Sequence, residues 1–340
     1  MKRKLGIEHG SYGKKKKYNP FVRFIVLPLT IISLIMVSVG ILTFINANNI
    51  MRSQPKKLED FANNILPSFS VAYFSSLDGN TSLNGWFFPS KDTPESTVIM
   101  VHSNGNNRLE YDSETVALYD YFINNNFNVL SFDLRHSGSS SGNLSTFGYS
   151  EWEDVIAAIA YTTSVSSADN VILYGFKSGV TACLIAAEKL MLASSDPDLV
   201  SNNISSLDFN HDIINGFILD MPLASSDDYI RDYASQNVFA GKNLTQYTVP
   251  FAIRLSAGSE PVHSLTAILA KIQAPVHIIS KNYEDKFLHD RSLLVVEERM
   301  RLFPNSTSVF TVDQLTDSDP YMYDRENYIS SIEDYLKRFF

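Results

Sequence analysis

The sequence contains a single cysteine, Cys183, among its 340 residues. One thiol cannot form an intramolecular disulfide, and it cannot supply a cysteine-based metal cluster. Cys183 falls in a segment predicted as a helix, where a small buried packing residue is expected. No internal repeat is evident, and no two histidines have the spacing found in zinc proteases. We therefore expect neither a bound metal nor another cofactor.

Residues 24–45 contain no charged side chain (FIVLPLTIISLIMVSVGILTFI). A helix needs about 20 apolar residues to cross a bilayer, so this segment is long enough to span. A cleaved signal peptide is the rival interpretation, with residues 45–47 (INA) resembling a cleavage site. The apolar core of a signal peptide is usually about 7–15 residues long, which is shorter than this run. We predict an uncleaved transmembrane helix over residues 24–45.

Charge is unevenly distributed along the chain. Residues 1–57 contain eleven Lys and Arg residues and one Glu, which gives them a net charge of +10. Because the whole chain has a net charge of −9, residues 58–340 have a net charge of −19. Eight of the basic residues precede the apolar run, within the predicted basic tail of residues 1–23. The positive-inside rule then predicts a cytoplasmic N-terminus, with the main domain outside a single-pass cell membrane. The acidic outer domain argues against nucleic acid as a partner.

After a predicted stalk (residues 46–68), strand and helix patterns alternate over residues 69–340. Residues 78–80 (DGN) predict a hairpin between the first two strands. Alternation of this kind indicates an α/β fold with a doubly wound, mostly parallel sheet. Residues 224–270 contain several short helical patches and are predicted to form a small helical lid. The predicted strands are residues 70–74, 83–88, 97–101, 128–132, 171–174, 216–219, 275–280 and 308–312.

Residues 171–182 (VILYGFKSGVTA) place a glycine-flanked turn between an apolar strand and an alanine-rich helix. This stretch resembles the G-x-S-x-G nucleophile elbow of the α/β-hydrolases. At such an elbow the central residue has a strained backbone, and the flanking glycines avoid side-chain clashes. Gly175 and Gly179 meet that requirement. Lys177 therefore occupies the position of the nucleophilic serine.

Further segments resemble the same family, in its serine-aminopeptidase-like branch. Residues 102–107 (HSNGNN) are similar to the H-G-x-x-x-N loop, which contributes an oxyanion-hole amide, and residues 133–140 (DLRHSGSS) resemble D-x-R-G-x-G-x-S. The resemblance covers roughly residues 69–340 and implies the α/β-hydrolase fold. It also implies binding roles for the oxyanion-type loop, namely His102, Ser103 and Asn104.

Two other assignments of residues 171–182 fit the sequence less well, namely an elbow centred on Ser178 and a phosphate-binding loop. Ser178 could be the nucleophile in a shifted register, but Phe176 and Val180 would then stand where the elbow requires glycine. We expect the backbone N–H of Ser178 to face the oxyanion hole instead. A phosphate-binding loop would need glycines at positions 171 and 176, and neither is present.

The remaining triad positions are degenerate. Glu284 aligns with the catalytic acid and Asp285 is adjacent, although an exposed acidic loop explains both residues equally well. The histidine should follow the last strand, yet Thr316 stands there and no histidine occurs after position 289. A serine without such a base is a poor nucleophile at neutral pH. Ser103 also replaces the glycine of the oxyanion loop.

These features predict a membrane-anchored pseudoenzyme that binds a small ligand or an envelope partner in its pocket. In that interpretation Lys177 is inert, and Glu284 or Asp285 is the expected partner of its ammonium group. The alternative is an active esterase, amidase or peptidase that uses Ser178, or Lys177 with a lowered pKa. A third possibility is a purely structural protein in which the anchor is the working part.

Overall fold

The computed structural model describes residues 20–59, 65–192, 204–313 and 318–340. Its strands are β1 (Ser70–Ser75), β2 (Ser82–Phe88), β3 (Ser96–Val101), β4 (Phe127–Asp133), β5 (Val171–Phe176), β6 (Ile214–Asp220), β7 (Val276–Lys281) and β8 (Thr307–Val312). Its α-helices are α1 (Leu27–Met51), α2 (Thr115–Asn124), α3 (Trp152–Val165), α4 (Ser178–Met191), α5 (Ser226–Asn237), α6 (Val249–Ser256), α7 (Leu265–Leu269), α8 (Lys286–Leu302), α9 (Pro320–Tyr323) and α10 (Arg325–Phe339).

The strands form one sheet in the order β1-β2-β4-β3-β5-β6-β7-β8. The β1–β2 and β2–β4 pairs are antiparallel, as expected for an initial hairpin, and all other pairs are parallel. Strands β3, β4 and β5 are completely buried because helices cover both faces, which is why they read as continuous apolar runs. The predicted mostly parallel α/β architecture is confirmed.

Two layers of helices cover the sheet. Helices α2 and α10 pack on one face, and α3 and α4 pack on the other together with the lid. Because the parallel strands all point the same way, the loops after β3, β5, β6, β7 and β8 meet at one edge. That edge holds the elbow, and the lid helices α5, α6 and α7 follow β6 directly.

Helix α1 is preceded by a π-helical turn (Val22–Val26) and continues to Met51, past the predicted span and into the predicted stalk. The segment Phe24–Met51 is long and apolar enough to cross a membrane, a property that signal anchors and signal peptides share. Its first part is exposed, whereas Thr43, Asn46 and Met51 are buried against the rest of the protein. The C-terminal end of α1 is thus part of the folded domain.

Candidate functional site

The turn between β5 and α4 has the geometry of a nucleophile elbow. Lys177 lies at its apex with φ 47° and ψ −117°, a conformation that costs a residue with a side chain about 1–3 kcal/mol. A Cβ on Gly175 would lie 2.7 Å from the backbone of Val180, and one on Gly179 would lie 2.2 Å from the carbonyl oxygen of Val101. Neither backbone atom can move without displacing a strand or a helix. Glycine is therefore required on both sides of Lys177.

The side chain of Lys177 is held in an ion pair. Its Nζ atom donates to Oδ2 of Asp319 at 2.8 Å. Burial by itself acts to lower the pKa of Lys177. The carboxylates of Glu110, Asp319 and Asp220 outweigh burial and raise the pKa of this ammonium above its usual value. The nitrogen therefore carries no free lone pair at neutral pH, which removes its ability to act as an amine nucleophile or base.

The partner of Lys177 differs from the sequence-based suggestion. The sequence suggests Glu284 or Asp285 as the partner of Lys177, but Asp319 forms the ion pair with Lys177. Asp285 instead caps helix α8, where its side chain accepts a hydrogen bond from the backbone N–H of Leu288 at 3.1 Å. Both acidic residues are exposed and line the same cavity as Lys177. Thr316, at the expected histidine position, lies outside the described residues.

The backbone donors of the oxyanion-type loop are already occupied. The N–H of Ser103 donates to Oε2 of Glu110 at 2.8 Å, and its hydroxyl donates to Oε1 at 2.7 Å. The N–H of Asn104 donates to Oγ of Ser178 at 2.8 Å. The N–H of Ser103, which the resemblance places in an oxyanion hole, is therefore bonded to a carboxylate. Ser103, which stands where the family has glycine, is thus the residue of this loop that binds Glu110.

Ser178 and His102 are both buried at this edge of the sheet. Ser178 is the first residue of α4 and does not line the cavity beside Lys177. The Nε2 atom of His102 accepts from the N–H of Leu134 at 2.9 Å, so its Nδ1–H donates to the carbonyl oxygen of Ser103 at 2.8 Å. Both ring nitrogens are therefore used in holding loops together.

A buried acid that no sequence motif indicates lies next to the elbow. Asp220, the last residue of β6, accepts hydrogen bonds of 2.6 Å at Oδ2 from the hydroxyls of Tyr111 and Tyr328. Its carbonyl oxygen accepts from the N–H of Lys177 at 2.8 Å. Burial raises the pKa of Asp220 to about 7, against the lowering effect of the two tyrosine hydroxyls. The apex of the elbow is thus hydrogen-bonded to the backbone of a residue whose carboxyl group titrates near neutrality.

A cavity of about 840 Å³ opens beside Lys177, between the lid helix α5 and the loops after β7 and β8. Four carboxylates and two ammonium groups line it, which leaves an excess of negative charge. The charged lining residues are Lys177, Lys281, Asp232, Glu284, Asp285 and Asp319. The cavity is large enough for a small organic ligand.

Comparisons with known proteins agree with this architecture. No family model matches the chain. An uncharacterized protein of Escherichia coli K12, YfhR, is 32% identical over 111 residues, which are 31% of this chain and 37% of YfhR. The match thus spans little more than a third of that relative's length.

Solved esterase structures match nearly the whole domain. The Pyrococcus furiosus esterase Pf2001 superposes with a TM-score of 0.60 at 19% identity, covering 85% of this chain and 98% of that one. Est1E from Butyrivibrio proteoclasticus, solved with ferulic acid, gives a TM-score of 0.55 at 16% identity and covers 79% and 98%. At such low identity the likeness concerns the fold alone. The chain has the α/β-hydrolase fold and is distantly related to YfhR.

Proposed function

We propose that this chain is a membrane-anchored pseudoenzyme of the α/β-hydrolase fold that binds a small polar ligand in the cavity beside Lys177. The observation that carries the proposal is the Lys177–Asp319 ion pair at the apex of the elbow. It places a protonated, unreactive side chain where a serine hydrolase has its nucleophile.

Two further observations support the loss of hydrolase chemistry. The N–H of Ser103 is bonded to Glu110, so a tetrahedral intermediate would lack that donor. No histidine follows position 289, and the buried His102 uses both ring nitrogens in structural hydrogen bonds. A hydroxyl at residue 177 or 178 would therefore lack a general base.

The charge of the cavity indicates the class of ligand. Three carboxylates besides that of Asp319 line the cavity wall, namely Asp232, Glu284 and Asp285, and they outnumber the two lysines. A ligand with an amine or another cationic group would pair with this wall. We therefore propose a small cationic or zwitterionic ligand, with an envelope protein that presents such a group as the alternative occupant.

The anchoring part of the proposal rests on residues 24–45. Their length and lack of charge fit a span, and the excess of Lys and Arg before them fits a cytoplasmic N-terminus. The buried end of α1 also supports an uncleaved helix, because cleavage near residue 47 would remove side chains that belong to the domain. The folded domain would then lie outside the cytoplasmic membrane.

The competing function is an active esterase, amidase or peptidase, and the likeness to solved esterases keeps it open. The test uses full-length protein in detergent with a fluorophosphonate probe and short-chain acyl esters. We expect no labelling and no ester hydrolysis from the wild type. We expect the same from Lys177→Ser, because that hydroxyl would still lack a base. Labelling of the wild type that disappears in Ser178→Ala would establish the hydrolase instead.

Ligand binding is tested separately by thermal shift with panels of small amines, zwitterions and carboxylates. We expect amines and zwitterions to raise the melting temperature and carboxylates to have no effect. Asp232→Asn should weaken the response because it removes one charge from the cavity wall. Asp290→Asn, at an exposed position of α8 outside the cavity, is the matched control. A response only to carboxylates would contradict the proposed ligand class.

A further inference from the structure

The lid carries large apolar side chains on its outer surface. Phe239, Tyr247, Phe251 and Leu255 are 78%, 63%, 59% and 45% exposed. Phe251 and Leu255 are four residues apart on α6, so they share one face of that helix. An exposed apolar group of this kind marks a surface that contacts another apolar phase. We call these four residues the lid face.

The lid face is attached to the C-terminal end of α1. The hydroxyls of Thr43 and Thr248 are 2.6 Å apart, and Thr248 lies between Tyr247 and α6. The side-chain amide of Asn46 donates to the carbonyl oxygen of Phe239 at 3.0 Å and to Oγ1 of Thr245 at 3.1 Å. These contacts fix the height of the lid relative to the apolar helix.

The length of α1 places that contact at the membrane boundary. The apolar segment Phe24–Met51 has 28 residues, which at about 1.5 Å per residue extends roughly 42 Å. The hydrocarbon core of a bilayer is about 30 Å thick, and residues 24–42 extend roughly 28 Å, so they cover nearly all of it. The remaining turns, from Thr43 onward, are those that pack against the lid. The lid therefore packs against the part of α1 that follows the residues expected to cross the hydrocarbon core of the bilayer.

The charge of the lid fits the same location. Residues 238–258 contain no acidic residue, and Lys242 and Arg254 are their only charged side chains. The domain around them is strongly acidic, with a net charge of −19 over residues 58–340. Arg254 pairs with Asp227, so Lys242 is the exposed basic side chain of this segment. Exposed aromatic residues beside a lysine, with no acidic residue in the segment, suit the interface of a membrane that contains anionic lipid.

We propose that the lid face lies in the interfacial layer of the bilayer that α1 crosses, with Phe251 and Leu255 inserted at the level of the acyl-chain boundary. This inference rests on the proposed anchoring of the chain. Gln236 lines the Lys177 cavity and lies only three residues before Phe239. The cavity mouth would therefore be held close to the membrane surface, where the headgroup of an amphiphile could reach it.

The experiment uses full-length protein in nanodiscs of phosphatidylcholine and phosphatidylglycerol, one chain per disc. An environment-sensitive fluorophore is attached to Phe251→Cys or Phe239→Cys in a Cys183→Ala background. The control is Val165→Cys, because Val165 is 42% exposed and ends α3 at the opposite edge of the sheet. We expect blue-shifted emission at residues 239 and 251, and quenching by brominated lipid at least about threefold stronger than at residue 165.

Extraction with alkaline carbonate separates the two levels of the proposal. A protein that stays in the membrane but shows water-like emission at residues 239 and 251 would overturn the lid inference and leave the anchoring intact. A protein released by carbonate would overturn the anchoring itself. Since each disc holds one chain, quenching at residue 251 cannot arise from a second copy that covers the lid.

Discussion

The Nζ atom of Lys177 lies 2.8 Å from Oδ2 of Asp319, which joins two residues 142 positions apart in the chain. Asp319 belongs to the loop after β8, the loop from which a triad histidine would approach the elbow. Under the proposed function, this salt bridge stands in place of a contact between a catalytic base and a nucleophile. The pair is partly exposed, so solvent screening limits its contribution to about 1 kcal/mol.

Replacing Lys177 by glycine and by alanine separates the strain of the elbow from the ion pair. Both variants lose the contact with Asp319, but only glycine adopts a positive φ without strain. We expect Lys177→Gly to be more stable than Lys177→Ala by about 1–2 kcal/mol, measured by denaturant unfolding of the whole protein in micelles. At Glu297, an exposed position within α8, the order should reverse because glycine disfavours a helix. The same order at both positions would mean that residue 177 is unstrained.

Gly179 tests the closeness of α4 to the sheet. A Cβ there would lie 2.2 Å from the carbonyl oxygen of Val101 and 2.7 Å from that of His102, and both are backbone atoms. We expect Gly179→Ala to destabilise the protein by about 3 kcal/mol or to abolish folding, measured by the melting temperature and the yield of folded protein. Gly40→Ala, in an open part of α1, is the control and should leave the melting temperature unchanged. Normal stability of Gly179→Ala would show that the elbow can open.

The sequence predicted the fold and the elbow well because both depend on local patterns. Buried parallel strands appear as apolar runs, and the elbow requires glycine at Gly175 and Gly179 whatever the chemistry. The site was less predictable because its contacts join distant parts of the chain. No local sequence feature of Glu110 indicates its bond to Ser103, and none of Asp319 indicates its pairing with Lys177. Asp220 was visible at the end of a strand, but its burial against Tyr111 and Tyr328 depends on the packing of α10.

The titration of Asp220 should make stability depend on pH. Its pKa is about 7 in the folded protein, above the usual aspartate value, so the folded state holds this proton more tightly than the unfolded state. The resulting stabilisation is fully present below about pH 4 and is lost as the pH rises through 7. We compare the wild type with Asp220→Asn, whose amide does not titrate.

The free energy of unfolding of the wild type, relative to Asp220→Asn, should fall by on the order of 2 kcal/mol between pH 5 and pH 8. Chemical denaturation at a series of pH values measures this difference. Asp290→Asn, at an exposed position of α8, should show no such trend. A constant difference between wild type and Asp220→Asn would mean that Asp220 keeps one protonation state throughout.

One buried amide, that of Asn46, donates two of the hydrogen bonds between α1 and the lid. Asn46 donates to Phe239 and Thr245, so Asn46→Ala leaves two acceptors without their donor in a buried position. We expect the free energy that holds the lid closed to fall by about 1–3 kcal/mol, so that the lid opens locally more often. Limited proteolysis of the reconstituted protein should then cleave near residues 238–244 several-fold faster than in the wild type. Asn49→Ala is the matched control because Asn49 lies on the exposed side of the same helix. Equal cleavage rates in Asn46→Ala and Asn49→Ala would mean that other contacts of α1 hold the lid without this amide.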